Sequence, residues 1–204
     1  VTRLFTALAA LLVLAGCAGL DRSGPSSLEE VQRSTFTDGG PPEIRLYTVL
    51  SERFDSGAHT ALLINGSQRV LWDPAGSFVH PDVPERGDLL YGIDENIRRV
   101  YVDYHVRPTH YMVEQTLPVT RAQADAIMAL AAEHGSASRS TCARSTSAIL
   151  AEAGVDIGRT WFPEGLRRQF GRLPGVTERV ITTENVDTRH NVIFGREGVP
   201  LPPA

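Results

Sequence analysis

The chemistry legible in this chain starts with a cysteine. Cys142 stands in "SRSTCARSTSAILAEAG", residues 138–154, where Ser140 or Thr141 caps a predicted helix and Gly154 ends it. A thiol at a helix N-terminus meets unsatisfied backbone N–H groups and the positive end of the helix dipole, and both favour thiolate. The same amides can hold the oxyanion that forms when a carbonyl is attacked. Cys142 shares a helix face with Thr146, Ile149 and Ala153, so it lies on the side that packs inward. Type and position leave two readings open: a nucleophile for acyl transfer, or a small apolar residue filling a gap under a sheet.

A nucleophilic cysteine needs a base. The chain has six histidines. His134 falls in the last turn of a predicted helix, where interaction with the terminal carbonyls accounts for it. His190 sits in a polar stretch, His80 in a proline-rich loop, and His105 and His110 flank a break at Pro108. His59 differs. It opens the apolar run "GAHTALLI", 57–64, behind Gly57 and Ala58, which let other backbone come close. Strand alternation puts it on one face with Ala61 and Leu63. A general base and a satisfied strand histidine are both open for it.

The elements that must position these residues follow from pattern. "IRLYTVL" (44–50) alternates as a strand. "GAHTALLI" (57–64), a turn at "NGSQ" and "RVLWDP" (69–74) form a hairpin. Residues 75–98 read as loop, and "RRVYVDYHV" (98–106) and "HYMVEQTLPV" (110–119) as two further strands. Thr120 and Gln123 make a capping box for a helix with an apolar stripe of Ala124, Ile127, Met128 and Ala131, stopped by Gly135. The cysteine helix comes next, then a short helix at "PEGLRRQF" (163–170) with Pro163 at its first position. "RVITTENV" (179–186) and "NVIF" (191–194) read as late strands. Strands followed by helices predict an α+β domain over residues 44–195, with 196–204 as a tail.

The chain has 204 residues, 42% hydrophobic and 22% charged, enough for one domain with a core. Its net charge is −4, it contains no lysine, and it has no basic run, which excludes a nucleic-acid partner. The opening "VTRLFTALAALLVLAGCAGL" places Arg3 before an apolar run from Leu4 to Ala15, the pattern of a secretory signal over residues 1–16. "LAGC", Leu14 to Cys17, matches the bacterial lipobox. The Cys17 thiol would then receive diacylglycerol and its freed amine another acyl chain, a firm membrane anchor. The expected location is the cell envelope, and with no Asp after Cys17 the periplasmic side of the outer membrane if the cell is Gram-negative. Residues 17–43 read as the lipidated cysteine and a flexible tether, with one helical turn at "SSLEEVQ". Cys17 as a thioether leaves Cys142 a lone thiol in an oxidising compartment.

"GAHTALLI…RVLWDP" followed much later by "STCARSTSAIL" resembles the circularly permuted branch of the papain-like cysteine hydrolases. That branch includes relatives of bacterial cell-wall endopeptidases and of lecithin–retinol acyltransferase. There a strand histidine of the form His-x-Ala/Gly-apolar precedes a cysteine at a helix N-terminus, as His59 precedes Cys142 here. The resemblance spans roughly residues 44 to 155. It implies an antiparallel sheet packed against the cysteine helix, with Cys142 as nucleophile and His59 as base. It also implies a third polar residue, on the next strand, that orients the imidazole. Asp73 is the candidate, with His105 and Glu114 as alternatives. If Ile64 pairs with Arg69, His59 faces Pro74; if Ile64 pairs with Gln68, His59 faces Asp73. An Asp-Pro turn that merely ends the hairpin is an equal reading of Asp73. Tyr47, in the first strand, reads as a half-buried strand aromatic, with a hydrogen bond near the oxyanion as the alternative.

No HExxH, no paired Cys or His spacing for zinc, no phosphate loop and no G-x-S-x-G occurs, so no metal or cofactor is expected. Trp72, Trp161 and Phe162 read as core aromatics. The expected function is a lipid-anchored cysteine hydrolase that opens an amide, a cell-wall peptide foremost, or an ester through a thioester. The alternative is a non-catalytic envelope lipoprotein that uses the same fold as a binding or assembly module.

Overall fold

The structure, a computed structural model, describes residues 25–186. The signal, the lipobox with Cys17, His190, the strand expected at 191–194 and the tail from 196 lie outside those residues. Seven strands form one sheet: β1 (Glu43–Ser51), β2 (Ser56–Asn65), β3 (Arg69–Trp72), β4 (Glu85–Arg86), β5 (Leu89–Tyr91), β6 (His110–Pro118) and β7 (Thr177–Ile181). Their order is β4-β5-β3-β2-β1-β6-β7, and every neighbouring pair is antiparallel. Among the described residues five helices accompany the sheet: α1 (Leu28–Arg33), α2 (Glu95–His105), α3 (Arg121–His134), α4 (Cys142–Glu152) and α5 (Pro163–Phe170). The class is α+β, as expected from the order of the elements.

Alternation along the strands sorts the core into two layers. Tyr47, Val49, Ala61, Leu63, Leu71 and Met112 face α2. Ile44, Leu46, Leu62, Ile64, Val70 and Trp72 face α3, α4 and α5. The sheet is therefore covered on both sides. This explains why β3 is buried at every position, Arg69 included.

Several expectations change, the first being that residues 75–98, expected to be loop, hold β4, β5 and the start of α2. Residues 98–106 are the body of α2 rather than a strand. The aromatic and β-branched run "VYV" suggested a strand, but the Asp94 side chain accepts from the Ile97 N–H at 2.8 Å and caps a helix. Ile97, Val100 and Tyr101 then fall on one buried stripe at helical spacing. The late strand starts earlier, at Thr177, and stops at Ile181, because Thr182 and Asn185 close a turn through Asn185 N–H to Thr182 O at 2.9 Å. The capping box at Thr120 is half made. Thr120 Oγ1 accepts from Gln123 N–H at 3.1 Å, while the Gln123 side chain reaches Ala153 O and ties α3 to the end of α4.

Of the segment read as a flexible tether, residues 25–42 run along the domain. Ser26 N–H donates to Glu85 O at 2.9 Å, and Arg69 N–H to Phe36 O at 2.8 Å. The Asp38 carboxylate binds both Arg69 and the Asn65 side chain. Among the described residues no helix is long and apolar enough to cross a membrane.

Because Asp94 alone caps α2 by a side-chain bond, Asp94→Ala is expected to lower stability by about 1 kcal/mol. Chemical denaturation monitored by circular dichroism checks this.

Candidate active site

The site is built where a strand stops. The last pair between β2 and β3 is Leu62 with Trp72, so the outer edge of β2 from Ser56 to Ala61 has no strand beside it. The start of α4 occupies that edge. The Thr60 N–H, which a continued β3 would have used, donates to the sulfur of Cys142. The N-terminus of α5 closes on the same stretch. A Cβ on Gly57 would stand 2.6 Å from Pro163 Cβ and 2.8 Å from Glu164 N, so only glycine admits this approach.

His59 projects from β2 toward α2, and its ring meets three groups. Nε2 lies 2.7 Å from Asp73 Oδ1. The Cys142 thiol is its second partner, close enough to raise the imidazole pKa, and with Nε2 engaged Nδ1 is the nitrogen left for it. His105 lies parallel to the ring, centroids 5.7 Å apart and planes 10° apart. Cys142, His59 and Asp73, the three residues named from sequence, thus come together.

Neither expected hairpin register occurs. Asn65 pairs with Arg69 and Ile64 with Val70, across a loop of Gly66, Ser67 and Gln68. That loop docks on α3: Asp125 Oδ1 accepts from the Ser67 N–H at 2.7 Å, and a Cβ on Gly66 would meet the same oxygen at 2.3 Å. Extending the observed register would bring Asp73 beside Ala61, two residues from His59 on the same face. The aspartate therefore reaches the ring diagonally, after β3 has ended.

Asp73 is 5% exposed. Tyr101 Oη donates to Asp73 Oδ1 at 2.8 Å, a residue the sequence reading missed because α2 was taken for a strand. Its signal was the helical spacing Ile97–Tyr101–His105 behind a capping Asp94. Gly76 was missed too: a Cβ there would stand 1.8 Å from Asp73 Oδ2. So was Asp88. Its carbonyl accepts from Asp73 N–H at 2.9 Å, and its carboxylate accepts from Ala75 N–H at 2.7 Å and Ala137 N–H at 2.8 Å. Asp88 thus joins the aspartate loop to the segment entering the cysteine helix.

The other candidates serve elsewhere. Glu114 is held by Arg98 at 3.4 Å and Arg179 at 3.0 Å, on the far side of β1 from His59. Tyr47 is fully buried rather than half-buried and faces α2, on the side where Arg98 lies. Trp72 is a core residue as expected, but Trp161 and Phe162 are exposed, at 55% and 73%; Trp161 lies under the Arg144 guanidinium at 4.4 Å. His105 donates Nδ1–H to Tyr101 O at 2.9 Å. Among the described residues, His59, Asp73 and His105 form a group able to hold a metal ion, their ligand atoms within 4.8 Å of one another.

The electrostatics follow from burial and pairing. Burial alone would lower the His59 pKa, but the bonds and charges of Asp73 and Cys142 outweigh it and raise it to about 10. Burial would raise the Cys142 thiol, but His59 and the Thr60 and Ala143 amides bring it below the usual thiol range. Asp73 is likewise lowered against its burial, by His59 first. Burial holds His105 down, to about 4, so it is neutral where His59 is charged. Both shifts favour the thiolate–imidazolium pair over the neutral one.

Three outcomes are expected. Alkylation of Cys142 proceeds at pH values below the ordinary thiol pKa of about 8.5, and His59→Ala moves the midpoint up toward it. A pH series of iodoacetamide rates reads both. Gly76→Ala displaces the Asp73 carboxylate and moves the alkylation midpoint upward in the same assay. Compared with models of known families, with curated proteins and with solved structures, the chain matches none.

Proposed function

We propose that this protein is a cysteine hydrolase of the circularly permuted papain-like kind, working through an acyl-thioester. The observation that carries this reading is the line Cys142–His59–Asp73, in which His59 Nε2 lies 2.7 Å from Asp73 Oδ1 and the imidazole and the thiol shift each other's pKa toward the charged forms. Cys142 thiolate attacks the substrate carbonyl carbon. The amide of Cys142, at the head of α4, faces the oxyanion that develops. His59 Nδ1–H protonates the leaving amine or alcohol as the carbonyl–leaving-group bond breaks, and a thioester remains. A water then gives its proton to Nδ1 and its oxygen to the carbonyl, and Cys142 departs as thiolate. Asp73 stays ionised throughout, fixing the ring and balancing its charge.

The substrate class we favour is an amide of cell-wall peptide, with lipid or other esters as the second class. Lipidation at Cys17 would tether the domain to the membrane of the cell envelope, beside that polymer. The lone cysteine among the described residues supports an enzyme rather than a disulfide framework.

An acyl-directed activity probe applied to the purified chain is expected to label Cys142 and to leave Cys142→Ala unlabelled. With a cleaved peptide or ester in hand, His59→Ala is expected to lower kcat/KM by about 10²–10⁴-fold. Equal labelling of the wild-type chain and the Cys142→Ala variant, or activity indifferent to His59, would overturn the proposal.

A further inference from the structure

His105 takes no part in the mechanism above, yet it is placed against it. Its Nδ1 lies 2.9 Å from the Tyr101 carbonyl, a contact that requires an N–H there. In the neutral ring the lone pair therefore belongs to Nε2. The ring stacks in parallel on His59 and packs on Tyr101 at 4.4 Å, so its orientation is fixed from both sides. Beside it are an aspartate oxygen and a second imidazole nitrogen. The three ligand atoms lie within 4.8 Å of one another, and the shortest separation, His59 Nε2 to Asp73 Oδ1, is 2.7 Å.

We infer that His59, Asp73 and His105 form a divalent transition-metal site, with zinc as the fitting ion, and that its occupation switches the cysteine chemistry off. Two imidazoles and one carboxylate are a ligand set that zinc takes with a fourth position open. Ligands about 2.0–2.2 Å from an ion sit roughly 3.4 Å apart in a tetrahedron. Reaching that spacing requires the His59 and His105 rings, nearly parallel here, to tilt so that both Nε2 lone pairs converge on the ion. The bonds that would orient these ligands are already present: Tyr101 O receives the His105 Nδ1–H, and Tyr101 Oη donates to Asp73.

The chemistry of the switch balances in one proton. Zinc binds the His59 Nε2 lone pair, and the proton that Nε2 carried goes to solvent. Asp73 gives up its bond to the ring and binds the ion. The Nδ1–H that remains belongs to a metal-bound imidazole. In that state His59 can no longer cycle a proton between leaving group and water. The irregular spacing 59–73–105 explains why no metal motif is visible in the sequence.

The inhibitory half of this inference rests on the hydrolase reading; the binding half does not, and the test separates them. Isothermal titration of zinc into the full chain carrying Cys142→Ala is expected to show one site. Adding His105→Ala is expected to weaken it at least about 10-fold, since even outer-shell losses cost that much. His105→Gln, which keeps the side chain's bulk, gives the same loss if the effect is ligation rather than folding, and circular dichroism verifies the fold of each variant. Cobalt in place of zinc is expected to give visible d–d bands that vanish in both His105 variants. In the chain with Cys142 intact, zinc is expected to suppress probe turnover, and His105→Gln to relieve the suppression. Absence of a zinc site in Cys142→Ala, or equal affinity with and without His105, would overturn the site whatever the hydrolase assays show. Binding without suppression would overturn the switch.

Discussion

A carboxylate with almost no solvent contact cannot stay charged unless its surroundings replace the water it has lost. Asp73 is in that position, and the rest of the site depends on how it is met. His59 and Tyr101 both donate to one of its oxygens, at 2.7 and 2.8 Å. Their donors outweigh the desolvation that would otherwise neutralise it. The charge so retained is what raises His59, and the charge on His59 is in turn what lowers Cys142. The three groups form a line of alternating sign in which no member holds its state alone. Such groups titrate as a set rather than as independent residues.

The fold supplies this line from three separate stretches, and the coupling between them is mechanical as well as electrostatic. Asp88 is the joint. Its carboxylate is bonded to the amides of Ala75 and Ala137, and it holds a positive φ of 60°. Ser140, just before the cysteine helix, holds a φ of 63°. Left-handed backbone at a residue other than glycine costs on the order of 1–3 kcal/mol and persists only where the surroundings enforce it. Here the enforcement has an evident object. The strained turn delivers the head of α4 onto the one stretch of β2 that β3 has left uncovered.

What sequence could foretell is set by how local each signal is. Cys142 at a helix start and His59 at a strand start are local patterns, and both elements are found. Asp73 was reachable as the next acidic residue along the hairpin, but its geometry was not. Register depends on how the loop at Gly66–Gln68 docks on Asp125, a residue 57 to 59 positions later. Tyr101 and His105 were hidden for a different reason. The run Val100–Tyr101–Val102 has the composition of a strand, and the deciding feature was a single capping aspartate eight residues before Val102. Burial on both faces of the sheet removed the alternation that would have corrected the reading. Gly76 carries a second, non-local demand: it closes the turn begun at Asp73, its N–H donating to Asp73 O at 2.9 Å, and it also stands where the Asp73 carboxylate needs room.

The order of the residues along the chain follows from the same geometry. Cys142 approaches β2 from the layer that contains α3 and α5, whereas Tyr101 and His105 approach from the opposite layer. They meet through the sheet only because β3 stops at Trp72 and leaves an opening one strand wide. An extension of β3 by two residues would pair the Thr60 edge, remove the amide donor from the thiol and shut the two layers apart. The length of one short strand is therefore as much a part of the site as the side chains it positions. The Asp-Pro step at 73–74 serves both ends: proline has no N–H to extend the ladder, and the aspartate before it is free to turn to the histidine.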